Sequence, residues 1–236
     1  MIRPHPKRQT YSHTQTSGKK EKKRTMRNSN TLELRKSTIS KKIGWGFMLL
    51  LAILLFALAS RYLTLDPNVY FPEQRDVYMD NTVFLLMHII GSMLAILIGP
   101  FQFLRNIRTG RYLNLHRWLG RVYLLSVLFG GLGGSYMATI AYGGPVARLG
   151  FITLAALWLV SGFMAYINIR NKKIEQHQKW MIVNYALTFA GVTLRLWQVI
   201  FGSIGVDFLL GYIIVAWLCW LPNLFVAFWI NNRKLT

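Results

Sequence analysis

Acids are scarce in this chain. Eight Asp and Glu stand against 28 Lys and Arg over 236 residues, a formal net charge of +20. Yet 53% of the residues are hydrophobic and the mean hydropathy is +0.31. The two figures conflict for a soluble domain and agree for a membrane protein with basic ends and loops. Clustered Lys and Arg also bind nucleic-acid phosphates, but the hydrophobic runs dictate a bilayer, which argues against nucleic acid as a partner. A single cysteine, Cys219, excludes an internal disulfide; within an apolar run it reads as a small buried side chain. A Cys-x-x-Cys pair, a His-Glu-x-x-His pattern and a strand–turn–helix phosphate loop are all lacking. No length remains for a large soluble domain, and no internal repeat stands out.

What is present is apolar length. Runs at about 43–60, 83–104, 117–140, 147–167, 180–203 and 208–230 each approach the ~20 residues that cross a bilayer. They predict an all-α, polytopic six-helix membrane bundle, with short loops joining antiparallel neighbours. Residues 1–42 are polar and basic, clustered at Lys19, Lys20, Lys22, Lys23, Arg24 and Arg27. They predict a disordered tail lying against anionic lipid headgroups. Residues 43–230 form the transmembrane domain, and 231–236 a short C-terminus. Ala57-Leu58-Ala59 resembles a signal-peptidase site, but the basic leader is too long, so an uncleaved anchor is expected. Pro222 predicts a kink in the last span.

Charge orients the spans. Arg105, Arg108, Arg111 and Arg117 follow span two, Arg170, Lys172, Lys173 and Lys179 follow span four, and Arg233 and Lys234 close the chain. The alternate loops hold the acids Asp66, Glu73, Asp76 and Asp80. The positive-inside rule then puts both termini in the cytoplasm of a bacterial cell, with the spans in its cytoplasmic membrane. In the loop 61–82, Tyr62, Tyr70, Phe71 and Tyr78 suit a membrane interface, and Trp118, Trp180 and Trp229 an aromatic belt.

Polar groups interrupt the apolar runs. At about 100° per residue, His177, Asn184, Thr188 and Arg195 fall within roughly 20° of one line down a helix. An Arg at such depth costs on the order of 3 kcal/mol on insertion scales, so it should face the bundle interior. His88 lies ~8 Å, and Arg195 ~11 Å, below the non-cytoplasmic ends of their spans at 1.5 Å per residue. They sit at similar levels and can contribute to one site, His88 neutral and an anionic ligand near Arg195; a quinone carbonyl or a haem propionate would fit there. His88 otherwise reads as a histidine bonded to a neighbouring helix. Gly91, Ala95 and Gly99 make a small-residue groove by its face. His116 and His177, near the cytoplasmic ends of their spans, read either as interfacial histidines or as the two axial ligands of a b-type haem. Gly130, Gly131, Gly133 and Gly134 leave a patch of span three almost free of side chains, for close packing or for a flat cofactor. The candidate cofactor-binding set is therefore His88, His116, His177, Asn184 and Arg195, the three histidines being the candidate metal ligands.

The segments LLMHIIGSMLAILIGPFQFLR, LHRWLGRVYLL and HQKWMIVNYALTFAGVTLRLW, in that order, resemble a family of predicted bacterial membrane proteins of unknown function, over about residues 83–200. A looser likeness, carried by His88, His116 with Trp118-Leu119-Gly120, and His177, is to transmembrane b-type cytochromes. Those proteins pair histidines for each haem, whereas the outer level here offers His88 alone. The resemblance implies at most one haem. The leading expectation is a membrane redox component that binds haem b or quinone and works with a membrane redox partner. The rivals are a transporter with a solute path along Asn184, Thr188 and Arg195, and a structural or assembly factor.

Overall fold

A computed structural model of the chain describes Ile39 and residues 42–233. The expected disordered tail therefore lies almost wholly outside the described residues, as do 234–236. The chain divides into a first unit ending at Phe47 and a second beginning at Met48. All packing described below is within the second.

Among the described residues six stretches are long and apolar enough to cross a membrane: Lys42–Thr64, Thr82–Gln102, Gly110–Thr139, Gly144–Arg170, Ile174–Ser203 and Phe208–Arg233. The described residues hold helices and turns and no strand, so the chain is an all-α membrane bundle. In the first stretch the α-helix, α1, covers residues 42–60. After it come α2 (Arg75–Asp80), α3 (Thr82–Gln102), α4 (Arg105–Arg108), α5 (Leu113–Thr139) and α6 (Gly144–Arg170). Span five is α7 (Ile174–Thr188) plus α8 (Ala190–Ser203), and span six is α9 (Phe208–Leu218) plus α10 (Leu221–Arg233). Spans three and five start some turns earlier than their apolar runs. Polar residues do not end a helix, and an ion pair of 2.6 Å between Lys179 and Glu175, one turn apart, favours its continuation.

The helices α3 and α6 both pack against α5. Its glycines explain how closely α3 approaches. A Cβ on Gly91 would stand 2.5 Å from the Gly130 nitrogen, and one on Gly133 would stand 2.6 Å from the Phe84 carbonyl. The glycine patch is thus a surface on which two backbones touch, the usual way apolar helices gain contact where lipid offers no hydrophobic drive.

Two spans are broken. Span six breaks at Cys219–Trp220, just before Pro222, which has no N–H to offer the preceding turn. The Asn223 amide covers the gap. It lies 3.1 Å from the Cys219 carbonyl, 3.0 Å from Thr193 Oγ1 and 3.2 Å from the Ala186 carbonyl. Thr193 also donates to the Cys219 carbonyl. The break in span five, at Phe189, is therefore fastened to the break in span six.

Between α1 and α3 the chain makes three short 3-10 turns, Arg61–Thr64, Pro67–Val69 and Pro72–Gln74, and then α2. Asp66 caps the second turn, accepting from the Asn68 N–H at 2.9 Å, and Pro67 opens it. Gln74, buried, donates from Nε2 to the Ile140 carbonyl at 2.8 Å and ties the segment to the end of α5. Tyr70, also buried, stacks on Tyr62 at 5.7 Å and meets Tyr78 edge-on at 5.9 Å. Phe71 stacks on Tyr212 at 5.8 Å. These aromatic residues, expected at a lipid interface, pack against one another and against α9. The segment is a cap over one end of the bundle.

Candidate functional site

Under the cap lies a cavity of about 600 Å³, within the ~300–1,000 Å³ that ligand sites occupy. Its wall is mostly apolar, with Leu85, Ile96, Met137 and Leu187 among its members. Several polar groups converge on it, among them His88, Ser92, Thr188, Gln198, Tyr78 and two cations, Arg61 and Arg195.

His88 is positioned by α3 and α5 together. Its Nδ1 is 2.9 Å from the Gly130 carbonyl and must carry a proton to bond there. In the neutral ring that leaves Nε2 as an acceptor, the nitrogen available to a ligand. The absence of a side chain at Gly134 makes room for the ring, because a Cβ there would stand 2.5 Å from Nδ1.

Arg195 reaches the same cavity from α8, though it stays exposed rather than sealed within the bundle. Its bonded partner is Gln198, NH1 to Oε1 at 3.3 Å, one turn further on. Among the described residues no carboxylate pairs with it; the ion pair found is Lys179–Glu175. Tyr78, Tyr212 and His88 line the same space as Arg195. Tyr78, in the cap, has its hydroxyl pKa pushed up, chiefly by burial, then by Tyr212 and Tyr62, with Arg195 opposing.

The floor of the cavity is a closed hydrogen-bond cluster. Asn184, 0% exposed, accepts from the Tyr123 hydroxyl at 2.7 Å and gives both amide hydrogens away, to the Trp158 carbonyl and to Ser161 Oγ, each at 2.8 Å. Thr188 accepts from Trp158 Nε1 at 2.8 Å and lies 3.0 Å from the Tyr123 hydroxyl. The cluster joins α5, α6 and α7 beneath the cavity. Asn184 has no place on the cavity wall, whereas Thr188 does.

The five sequence candidates thus divide. His88 and Arg195 share the cavity, and Asn184 supports its floor. His116 and His177 line no part of it. They lie at the other end of the bundle, close enough to interact electrostatically. His177 bonds through Nδ1 to the Ala165 carbonyl at 2.8 Å, while His116 Nδ1 is buried without a partner. No group of three His, Cys, Asp or Glu able to hold a metal ion occurs among the described residues. The sequence reading missed Tyr123, Trp158 and Ser161, whose roles depend on which helices meet. It also missed Gln198, one turn from Arg195 and legible by spacing alone.

The family described as predicted membrane protein (DUF2306) matches residues 85–230, a stretch that includes both the cavity's His88 and Arg195 and the floor beneath them. No curated protein and no solved structure matches the chain.

Proposed function

We propose, for a chain that belongs to the DUF2306 family of predicted membrane proteins, that the capped cavity binds a flat, largely apolar ligand of the quinone class and that the protein is a redox component of the bacterial cytoplasmic membrane. One observation carries this reading: His88, its Nδ1 already used, and Arg195, without a carboxylate partner, share a cavity whose remaining wall is largely apolar. The chemistry is complementary to a quinol. Nε2 of His88 accepts from one hydroxyl. The guanidinium donates to the oxygen at the other edge, in a setting where a charge-assisted bond is strong. Apolar walls take the ring and the start of its tail.

Haem is the runner-up occupant. Bis-histidine ligation takes two imidazoles, one on each side of the iron, and this cavity supplies His88 alone. A haem held instead by His116 and His177 would occupy the opposite end and leave the capped cavity without a role.

The purified protein tests the choice. Its organic-solvent extract is expected to contain quinone, and its reduced-minus-oxidised spectrum to lack a b-type signal. A b-type signal lost in His88→Ala, or in His116→Ala and His177→Ala, replaces quinone by haem at the corresponding end. A folded preparation that holds neither quinone nor haem contradicts the redox reading.

A further inference from the structure

At the end of the bundle away from the cap, buried polar atoms without a hydrogen-bond partner include three on neighbouring elements, Gln102 Nε2, Arg108 Nε and His116 Nδ1, besides Asn231 Oδ1 on α10. Gln102 is only 5% exposed. The three belong to one corner. Gln102 closes α3 and lies beside Gly120, since a Cβ there would be 3.5 Å from its Oε1. His116 is one turn before Gly120 on α5, and Arg108, on α4, is close enough to His116 to interact electrostatically.

Their chemistry agrees. The Gln102 amide nitrogen and Arg108 Nε carry hydrogens and no lone pair to give, and His116 Nδ1 is a donor in one tautomer. A metal ion needs lone pairs, so this corner is not built for one. It asks for an acceptor. The stretch from 103 to 121 supplies none with charge: it holds Arg105, Arg108, Arg111, Arg117 and Arg121 and no Asp or Glu. Leaving a buried donor unpaired is costly, more so for a charged group. Three together point to something outside the protein that supplies oxygens.

We infer that the corner between α3, α4 and α5 is a phosphate-binding site, in which Gln102, Arg108 and His116 donate to the oxygens of one phosphate group. The group is carried either by an anionic lipid headgroup or by a free phosphate. Arg–phosphate bonds are strong and directional, and basic pockets between transmembrane helices hold lipid headgroups in this way. The site is separate from the capped cavity and does not depend on what occupies it.

The test uses the full-length protein in a non-ionic detergent, titrated with phosphatidylglycerol in one arm and inorganic phosphate in the other, with adducts counted by native mass spectrometry. One saturable adduct is expected. Arg108→Gln and Gln102→Leu should each weaken it by about tenfold or more, the loss of one charge-assisted bond or of one buried donor. Arg111→Gln removes an exposed charge next to the corner and should change it by less than about twofold, as expected of a screened surface charge. Gln102→Glu covers the risk that Gln102→Leu fails to fold. Its carboxylate supplies the missing acceptor to Arg108 and His116, so the fold is kept and the adduct abolished. Saturation by the lipid alone identifies a headgroup; saturation by inorganic phosphate with the same variant pattern identifies a soluble phosphate. Absence of an adduct, an equal loss in Arg111→Gln and Arg108→Gln, or an adduct untouched by Gln102→Glu overturns the site.

Discussion

Gly134 and Gly91 face the same contact, α3 on α5, with different margins. A Cβ on Gly134 meets the His88 ring, the end of a side chain that can turn. A Cβ on Gly91 meets the Gly130 backbone at 2.5 Å, which cannot. Gly134→Ala should therefore keep the fold but displace the imidazole from the Gly130 carbonyl and lose ligand binding. Gly91→Ala should force the helices apart and destabilise by about 1–3 kcal/mol, the usual cost of overpacking. Gly202→Ala, with nothing within 4 Å, should be neutral or slightly stabilising. Thermal unfolding in detergent, paired with a quinone titration, separates the three outcomes. Some of this scale was legible in the sequence. Counting residues from the ends of spans put His88 and Arg195 at one level, and the structure places both on one cavity. The acceptor for His88 was not legible, because it is a backbone carbonyl on another helix, and backbone carries no sequence signature.

The elements differ in how much the sequence discloses. Pro222 announces the break in span six. The break at Phe189 has no such marker, and its fastening through Thr193 and Asn223 joins residues 30 apart. The cap was the least legible element. Its residues were polar and aromatic enough to suit a lipid interface, and the outcome depended on Gln74 finding a carbonyl 66 residues away. That bond makes a prediction at the scale of the element. Gln74→Ala should loosen the cap while leaving the spans intact, since what else ties the cap down is ring contacts worth roughly 0.5–1.5 kcal/mol each, the apolar packing of Tyr70 with Leu85 and Met137, and the bond from the Tyr136 hydroxyl to Asn81 at its end. Hydrogen–deuterium exchange is expected to rise over 66–80 and stay unchanged in α5 and α7. Unchanged exchange in the cap would show that those other ties hold it.

At the scale of the molecule, hydropathy was enough to find six spans, because a bilayer imposes a length and a polarity on every helix that crosses it. The cavity was hidden for the converse reason. It is the space left where α3, α5, α6, α7 and α8 fail to touch under the cap, and no run of sequence encodes a gap. The central claim is that this gap is a ligand site in which His88 and Arg195 hold the polar edges. A titration of the purified protein with a short-chain quinol tests it most directly, read by quenching of tryptophan fluorescence, to which Trp158 on the cavity wall contributes. The account predicts saturable binding, weakened about tenfold or more in His88→Ala and in Arg195→Leu. It predicts partial recovery in Arg195→Lys, which keeps the charge and loses the planar fork. Arg195→Leu protein that binds the quinol as the wild type does, and inserts or melts more favourably because a desolvated charge is gone, would contradict it.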